Sequence, residues 1–198
     1  MKYLGNIRYI KTMNWPTTIP LTVKQYETLV ERGDFDAFAG QVELIRGRIV
    51  HMNPQGPQHS DPIDFLSEGS FEQTRRQFTI RIEKPLLVPN ANSCPESDIA
   101  WVTRRRYADR HPLPDEVQLL IEVSYSSVDF DRTEKLGLYA EAGIQEDWQV
   151  DVPSRSVIVY CEPAEASYRS VLTFASGTRV TPLCLPDAEL EVSALFPQ

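Results

Sequence analysis

The stretch that decides the fold is Val117-Gln118-Leu119-Leu120-Ile121-Glu122-Val123-Ser124, which is apolar at almost every position until its end. Such a run predicts a central β-strand that is covered on both faces. Because side chains alternate along a strand, Glu122 and Ser124 are expected to share one face. Glu122 would lie in a dry sheet interior, where an unpaired carboxylate is costly. A positive charge must therefore compensate it.

The residues alone leave two sources for that charge open. A divalent cation fits, because Mg²⁺ typically binds one or two protein carboxylates together with waters and phosphate oxygens. Asp98, at the start of the preceding predicted strand, would supply the second carboxylate, although a strand-start aspartate can also simply cap a turn. The other source is a basic side chain: Lys135, on the helix predicted to follow, could form a structural ion pair with Glu122 without catalysis.

The predicted helix around Lys135 begins at the capping sequence Asp131-Arg132-Thr133-Glu134 and ends at Gly143. This placement puts Lys135 in the exposed first turn, where the helix dipole disfavours a cation. A fixed anionic partner, such as a phosphate or the nearby carboxylates, explains that position better than a generic surface charge.

Upstream, Thr22 and Gln25 form a capping box that predicts a helix from about Val23 to Glu31. Three of its side chains are expected to face the core: Tyr26, Leu29 and Val30. Two β-rich runs follow, Val42 to Ile45 and Arg48 to Val50, joined at Arg46-Gly47 in a tight hairpin.

The remaining pattern predicts one further helix and several strands. The helix begins at Asp61-Pro62 with a break at Gly69, before a second piece from Phe71 to Gln77. Strands are predicted at 78–88, 98–102, 148–151, 156–160, 168–174 and 179–183. This order predicts an α/β (α+β) fold, with a mixed central sheet flanked by helices and extra C-terminal strands.

The composition is that of an ordinary globular protein. The chain has 198 residues, 41% hydrophobic and 24% charged, which predicts a single domain over 21–198 after an N-terminal extension at 1–20. Three cysteines without CxxC spacing indicate neither a disulfide framework nor a zinc site. With no signal peptide or membrane span in the sequence, the expected location is the cytoplasm.

The net charge of −8 argues against a protein that coats nucleic acid nonspecifically. It is compatible with a local basic patch that touches phosphates. Arg104, Arg105 and Arg106 could supply such a patch together with Arg75-Arg76, although solvated surface charge is the common explanation for runs of this kind.

From Leu21 to Phe196 the chain resembles the Uma-type endonuclease-like family, abundant in cyanobacteria and belonging to the PD-(D/E)xK superfamily of restriction-endonuclease-like nucleases. The resemblance is carried by ordered segments: Val42–Val50, Gln55–His59, Pro95–Val102, Leu120–Ser124, Asp131-Arg132, Lys135 and Tyr139-Ala140. The chain departs from the pattern at Ser97, which replaces the usual proline, and at Ser124, where the superfamily usually has its lysine. It also has Asp147 and Tyr125 where Tyr and Asp are usual, and none of these changes removes a proposed ligand.

The resemblance implies a Mg²⁺ or Mn²⁺ site formed by Asp98, Glu122 and the backbone carbonyl of Val123. It implies that Lys135 is the catalytic lysine, moved to the helix after the strand. Glu43 would be a third acidic contributor, unless it is a hairpin surface charge, and His59 would contact a phosphate or a carboxylate, unless it only caps a helix.

The function that follows from the resemblance is a metal-dependent endonuclease that hydrolyses DNA phosphodiester bonds. Because duplex DNA has two antiparallel strands, a homodimer with twofold-related sites is expected, with the N-terminal arm 1–15 as a contributor. The alternative is a non-catalytic protein, also dimeric, that keeps the nuclease fold for binding or regulation. Intact Asp98, Glu122 and Lys135 argue against that alternative.

Overall fold

A computed structural model describes residues 19–52, 54–125 and 130–196, with the side chains of residues 130–132 outside the described part. Its helices are α1 (Val23–Glu31), α2 (Pro57–Thr74) and α3 (Phe130–Glu141). Its strands are β1 (Val42–Ile45), β2 (Arg48–His51), β3 (Phe78–Pro85), β4 (Glu96–Thr103), β5 (Val117–Ser124), β6 (Glu146–Asp151), β7 (Ser156–Ala164), β8 (Ser167–Ala175), β9 (Arg179–Val180) and β10 (Leu190–Glu191).

Six strands form the central sheet in the order β3-β4-β5-β6-β7-β8. The β5 and β6 pair is parallel and every other neighbouring pair is antiparallel. The parallel pair needs a crossover connection, and α3 lies in it. β1 and β2 form a separate hairpin, and β9 pairs with β10. The predicted α+β class with a mixed central sheet is confirmed.

The two faces of this sheet differ in character. We call one the apolar face, because it buries a continuous hydrophobic cluster under α2 and the C-terminal segment, including Ile99, Trp101, Leu119, Ile121 and Trp148. We call the other the charged face. It packs against α3 through Leu120, Leu138 and Tyr139, but alternation also turns Asp98, Glu122 and Gln149 onto it.

The β1–β2 hairpin docks against the segment that leads into β4. The Cys94 amide donates to the Leu44 carbonyl at 2.7 Å, and the Gly47 amide donates to the Asn92 carbonyl at 2.8 Å. Gly47 has φ of +75°, and a Cβ there would lie 2.3 Å from the Cβ of Pro20. The turn therefore needs glycine, and the hairpin is held in one place relative to β4.

Several predicted elements have the observed bounds. α1 spans Val23–Glu31 and both hydrogen bonds of its capping box are present. β5 spans Val117–Ser124, and the hairpin turns at Arg46-Gly47. In α1 Tyr26 is buried as predicted, but Val30 is 49% exposed, so its prediction as a core residue was wrong.

α2 corrects the prediction of a helix that starts at Asp61 and breaks at Gly69. The helix starts at Pro57, contains Pro62, and passes through Gly69 without interruption. One stripe of its side chains is buried at helical spacing: Ile63, Leu66, Ser67, Ser70 and Thr74. Packing of that stripe outweighs the weak helix propensity of glycine and proline. The Trp101 indole also donates to the Ser70 hydroxyl at 2.9 Å.

Three further boundaries differ from prediction. α3 begins at Phe130, so Lys135 lies in its second turn and is only 8% exposed, not in an exposed first turn. β3 ends at Pro85 rather than continuing to residue 88, and β9 stops at Val180 rather than reaching residue 183. None of the helices in the described ranges is long and apolar enough to cross a membrane.

Candidate active site

Asp98 and Glu122 come together because β4 and β5 are neighbours in the sheet. Their antiparallel register pairs Ala100 with Leu120. Asp98 precedes Ala100 by two residues and Glu122 follows Leu120 by two, so both project from the same face. The Val123 amide donates to Asp98 Oδ2 at 2.6 Å, and Asp98 is only 8% exposed. The backbone of β5 therefore fixes the orientation of the Asp98 carboxylate.

Lys135 reaches the same point from α3. Its Nζ lies 3.3 Å from Glu122 Oε1 and 3.4 Å from Glu43 Oε1. It also donates to the backbone carbonyl of Glu96 at 2.6 Å. Two carboxylates and one carbonyl thus hold the ammonium group in a defined position beneath the helix.

Glu43 projects from β1 into this cluster and is 1% exposed. The alternative of a hairpin surface charge is therefore wrong for this residue. Its Oε1 contacts Lys135, whereas its Oε2 is buried without a hydrogen-bond partner among the described residues. A buried carboxylate oxygen in that state has free capacity for a donor or a cation.

Tyr139 belongs to the cluster, and sequence reasoning gave it no role. Its hydroxyl donates to Glu122 Oε1 at 2.8 Å, and its side chain is fully buried. The signal was present in the sequence: Tyr139 follows Lys135 by one helical turn, so both side chains lie on the same face of α3. Tyr139 and Lys135 together hold the Glu122 carboxylate from one side.

His59 lies in the first turn of α2, with Nε2 at 3.5 Å from Asp98 Oδ1. That separation is too long for a well-formed hydrogen bond. The same Nε2 is buried and has no hydrogen-bond partner among the described residues. His59 is thus adjacent to Asp98, with a ring nitrogen available for a further partner.

Burial dominates the electrostatics of the cluster. Burial, as the largest cause, and the negative charge of Asp98 raise the pKa of Glu122, the attraction of Lys135 lowers it, and the net pKa is about 8. Burial also raises the pKa of Glu43, against the same attraction. Burial alone would lower the pKa of Lys135, but Glu122, Glu43 and Asp98 outweigh it, and the net shift is upward. Lys135 therefore keeps its proton, and the carboxylates compete for positive charge.

The balance of charges bears on whether a cation fits. Asp98, Glu122 and Glu43 offer three carboxylates to one ammonium, that of Lys135. No group of three or more His, Cys, Asp or Glu side chains with metal-site geometry occurs in the described ranges. Mg²⁺ does not need one, because it uses one or two carboxylates and completes its shell with water and substrate. An all-oxygen donor set, in which Glu43 Oε2 has no partner among the described residues, fits such a hard cation.

The arginines predicted to contact DNA do not join this cluster. Arg104, Arg105 and Arg106 follow the far end of β4, six to eight residues beyond Asp98, or roughly 20 Å or more along an extended strand. Arg105 forms salt bridges with Asp109 and Glu116. A DNA contact at this end of the sheet stays a prediction.

The comparisons with known proteins agree with the fold. The structure of a protein described as a "putative nuclease belonging to DUF820" from Anabaena variabilis ATCC 29413 is similar, with a TM-score of 0.70, 17% identity, and coverage of 89% of this chain and 98% of that one. At this identity the likeness shows the fold alone. No curated protein matches the chain. Residues 24–193 match the family Uma2, described as "Putative restriction endonuclease". The chain therefore belongs to the Uma2 family.

Proposed function

We propose that this protein is a Mg²⁺- or Mn²⁺-dependent endonuclease that hydrolyses DNA phosphodiester bonds. One observation carries the proposal: Asp98, Glu122 and Lys135, from β4, β5 and α3, meet in one buried cluster with an excess of carboxylates. Membership of a restriction endonuclease family supports the same reaction class. Two carboxylates and an amine are the groups that metal-assisted phosphodiester cleavage uses.

Asp98, Glu122 and the backbone carbonyl of Val123 would hold the cation. When bound, the cation supplies positive charge to a phosphoryl oxygen and lowers the pKa of a bound water. Asp98 is oriented for this role by the Val123 amide, and Glu122 by the Tyr139 hydroxyl. Hydrogen bonds of this kind to ligating carboxylates hold them in the orientation a cation requires.

Lys135 would act on the substrate rather than on the cation. Its raised pKa keeps the ammonium charged, so it can neutralise negative charge that develops on the phosphorus oxygens. The Glu96 carbonyl, at 2.6 Å, fixes the end of a long flexible side chain. Positioning in advance of the reaction is what makes such a charge effective.

The experiment is a nicking assay on supercoiled plasmid with Mg²⁺, Mn²⁺ or EDTA. We expect nicking with either cation, none with EDTA, and none above background for Asp98→Asn. Glu141→Gln is the matched control. Glu141 lies on α3, the helix that carries Lys135, but it pairs with Arg46 at 2.8 Å at the exposed surface. Nicking that persists in EDTA, or that survives Asp98→Asn, would contradict the proposal.

A second candidate is a non-catalytic protein that uses the nuclease fold for binding. The observation that favours it is that Lys135 is already held by Glu122, Glu43 and Glu96, as in a structural ion network. Under this alternative the folded protein binds DNA but nicks it with neither cation. The same assay, with a gel-shift measurement on the same samples, separates the two.

A homodimer is part of the proposed function. β8 is an edge strand of the sheet, and two of its large apolar side chains, Val171 and Leu172, are more than half exposed. An edge strand of this kind offers unpaired backbone groups to another chain. Light scattering at micromolar concentration should give the mass of a dimer, and a monomer mass would remove this part of the proposal.

A further inference from the structure

A cavity of about 280 Å³ lies on the apolar face of the sheet, between α2 and the segment 182–194. Its floor consists of buried apolar side chains: Leu66, Trp101, Ile121 and Trp148. Ile121 and Glu122 are neighbours on β5 and point to opposite faces. The cavity is therefore separated from the proposed active site by the thickness of the sheet.

Four glutamates line the same cavity: Glu68, Glu72, Glu189 and Glu191. Glu189 pairs with Arg179 at 2.7 Å, and Glu191 accepts a hydrogen bond from Ser193. Glu68 and Glu72 form no salt bridge within the part of the chain that the structure describes. They are one helical turn apart, where two like charges disfavour the helix. A cation between them would relieve that repulsion.

Gly69 lies on the wall of the cavity. It sits in the interior of α2, where glycine is a poor helix former. It lines the cavity, and a Cβ added there would meet no heavy atom within 4 Å. The folded protein therefore has room for a side chain at this position, and a large one would extend into the cavity.

The geometry points to a binding site for a small organic cation with a flat apolar body, an arylalkylammonium in chemical terms. The tryptophan floor suits an aromatic ring and also attracts a cation through its π-electrons. The glutamate rim is complementary to the positive group. The volume lies just below the usual range for small-molecule sites, which limits the ligand to about one ring. The site is independent of the proposed nuclease activity.

The test uses three soluble probes with the same ring: benzylammonium, benzyl alcohol and phenylacetate. Calorimetry on the full chain should give benzylammonium the highest affinity, about tenfold above benzyl alcohol, because a partly exposed ion pair and a cation–π contact add to the apolar contact. Phenylacetate should bind most weakly. No binding of benzylammonium, or equal binding of benzyl alcohol, would overturn the assignment.

Variants from both walls locate the site. Gly69→Leu on α2 and Ala194→Leu on the opposite wall should each weaken benzylammonium binding by tenfold or more by filling space. Gly69→Ala is the matched control: it should leave binding in place and raise the melting temperature. Glu68→Gln with Glu72→Gln should remove the preference for the cation while benzyl alcohol still binds. Unchanged benzylammonium affinity in both leucine variants would place the ligand elsewhere and defeat the proposal.

Discussion

The apolar face and the charged face of the central sheet come from the same strands but contribute to the protein in opposite ways. On β5, Leu119 and Ile121 enter a continuous hydrophobic cluster, and burial of that area stabilises the fold. Glu122, the residue after Ile121, points to the other face and enters a cluster of carboxylates, whose desolvation is costly. Because side chains alternate along β5, residues that stabilise the fold and a residue of the proposed active site are adjacent in sequence but lie on opposite faces of the sheet.

The difference continues into β6. On the apolar face Trp148 and Val150 are buried among hydrophobic side chains. On the charged face Asp147 and Gln149 are also buried, and the Gln149 amide donates to Asp147 Oδ1 at 2.7 Å. Buried polar groups need partners, and this hydrogen bond supplies one to the Gln149 amide nitrogen and one to an oxygen of Asp147. The charged face is thus buried as deeply as the apolar face but is held together by hydrogen bonds and ion pairs.

The largest effect on activity and stability should come from Lys135→Ala, which removes a charge from the charged face. Loss of its charge should lower metal-dependent nicking by about 10²–10³-fold. Because Lys135 is buried against Glu122 and Glu43, its loss should also destabilise the fold by about 3 kcal/mol, at the lower end for breaking a buried pair, since Glu122 can take up a proton. Plasmid nicking and urea unfolding on the same preparation measure both.

A double variant separates the two consequences. Lys135→Met with Glu122→Gln replaces the ion pair by neutral groups of similar volume, and it should recover most of the lost stability without recovering nicking. If stability and nicking return together, neither Lys135 nor Glu122 is required for cleavage, and both proposed roles are wrong.

On the apolar face, Leu119→Ala should lower the free energy of unfolding by about 2–5 kcal/mol, because Leu119 is fully buried and the surrounding strands cannot close the space. The folded fraction should still nick plasmid at the wild-type rate, since the side chain points away from Glu122. Nicking normalised to the folded fraction is the measurement. A loss of normalised activity would mean that the two faces are coupled.

Much of the difference between the apolar face and the charged face could be predicted from the sequence, because it depends on local patterns. The period of β5 and the capping box of α1 predicted both elements with their observed bounds. Asp98, Glu122 and Lys135 were named from the motif, and the structure brings them together. Patterns of this kind are carried by neighbouring residues, so they need no knowledge of tertiary packing.

What the sequence did not reveal depends on tertiary contacts. The uninterrupted α2 results from a buried stripe packed on the sheet, which outweighs Pro62 and Gly69. The burial of Glu43 results from docking of the hairpin onto Cys94, a contact between distant parts of the chain. The role of Tyr139 emerges only when α3 is placed over β5. Each of these contacts joins segments far apart in sequence.

Metal binding sharpens the comparison further. Mn²⁺ at about 100 times its dissociation constant should raise the free energy of unfolding by about 2.7 kcal/mol. Glu122→Gln should bind Mn²⁺ at least roughly tenfold more weakly, since even loss of a group that only orients a ligand has that effect. Without metal this variant should be less stable than wild type, because Lys135 stays buried with Glu43 as its one remaining carboxylate partner. If calorimetry gives wild type and Glu122→Gln the same Mn²⁺ affinity, Glu122 is not a metal ligand.

The smallest effect concerns Glu146, a carboxyl group on the apolar face. Its oxygens accept hydrogen bonds from the Trp148 indole and the Leu183 amide, both at 2.7 Å. Burial raises its pKa above the ordinary value of 4.5, against these two hydrogen bonds. The folded state therefore holds the proton more tightly than the unfolded state, and this group's contribution to stability falls as the pH rises from 4.5 through the raised pKa.

Glu146→Gln removes the titration, so the free energy of unfolding of wild type relative to this variant should decline across that pH interval and then level off. Urea unfolding of both proteins from about pH 4 to about pH 8 measures the difference. If the difference in the free energy of unfolding is the same at every pH, it reflects only the changed hydrogen bonds to Trp148 and Leu183. If the difference falls as the pH rises, it shows that Glu146 binds a proton more tightly in the folded state. A rise of the difference with pH would mean that the two hydrogen bonds outweigh burial, and that the apolar face tolerates a charge better than its composition predicts.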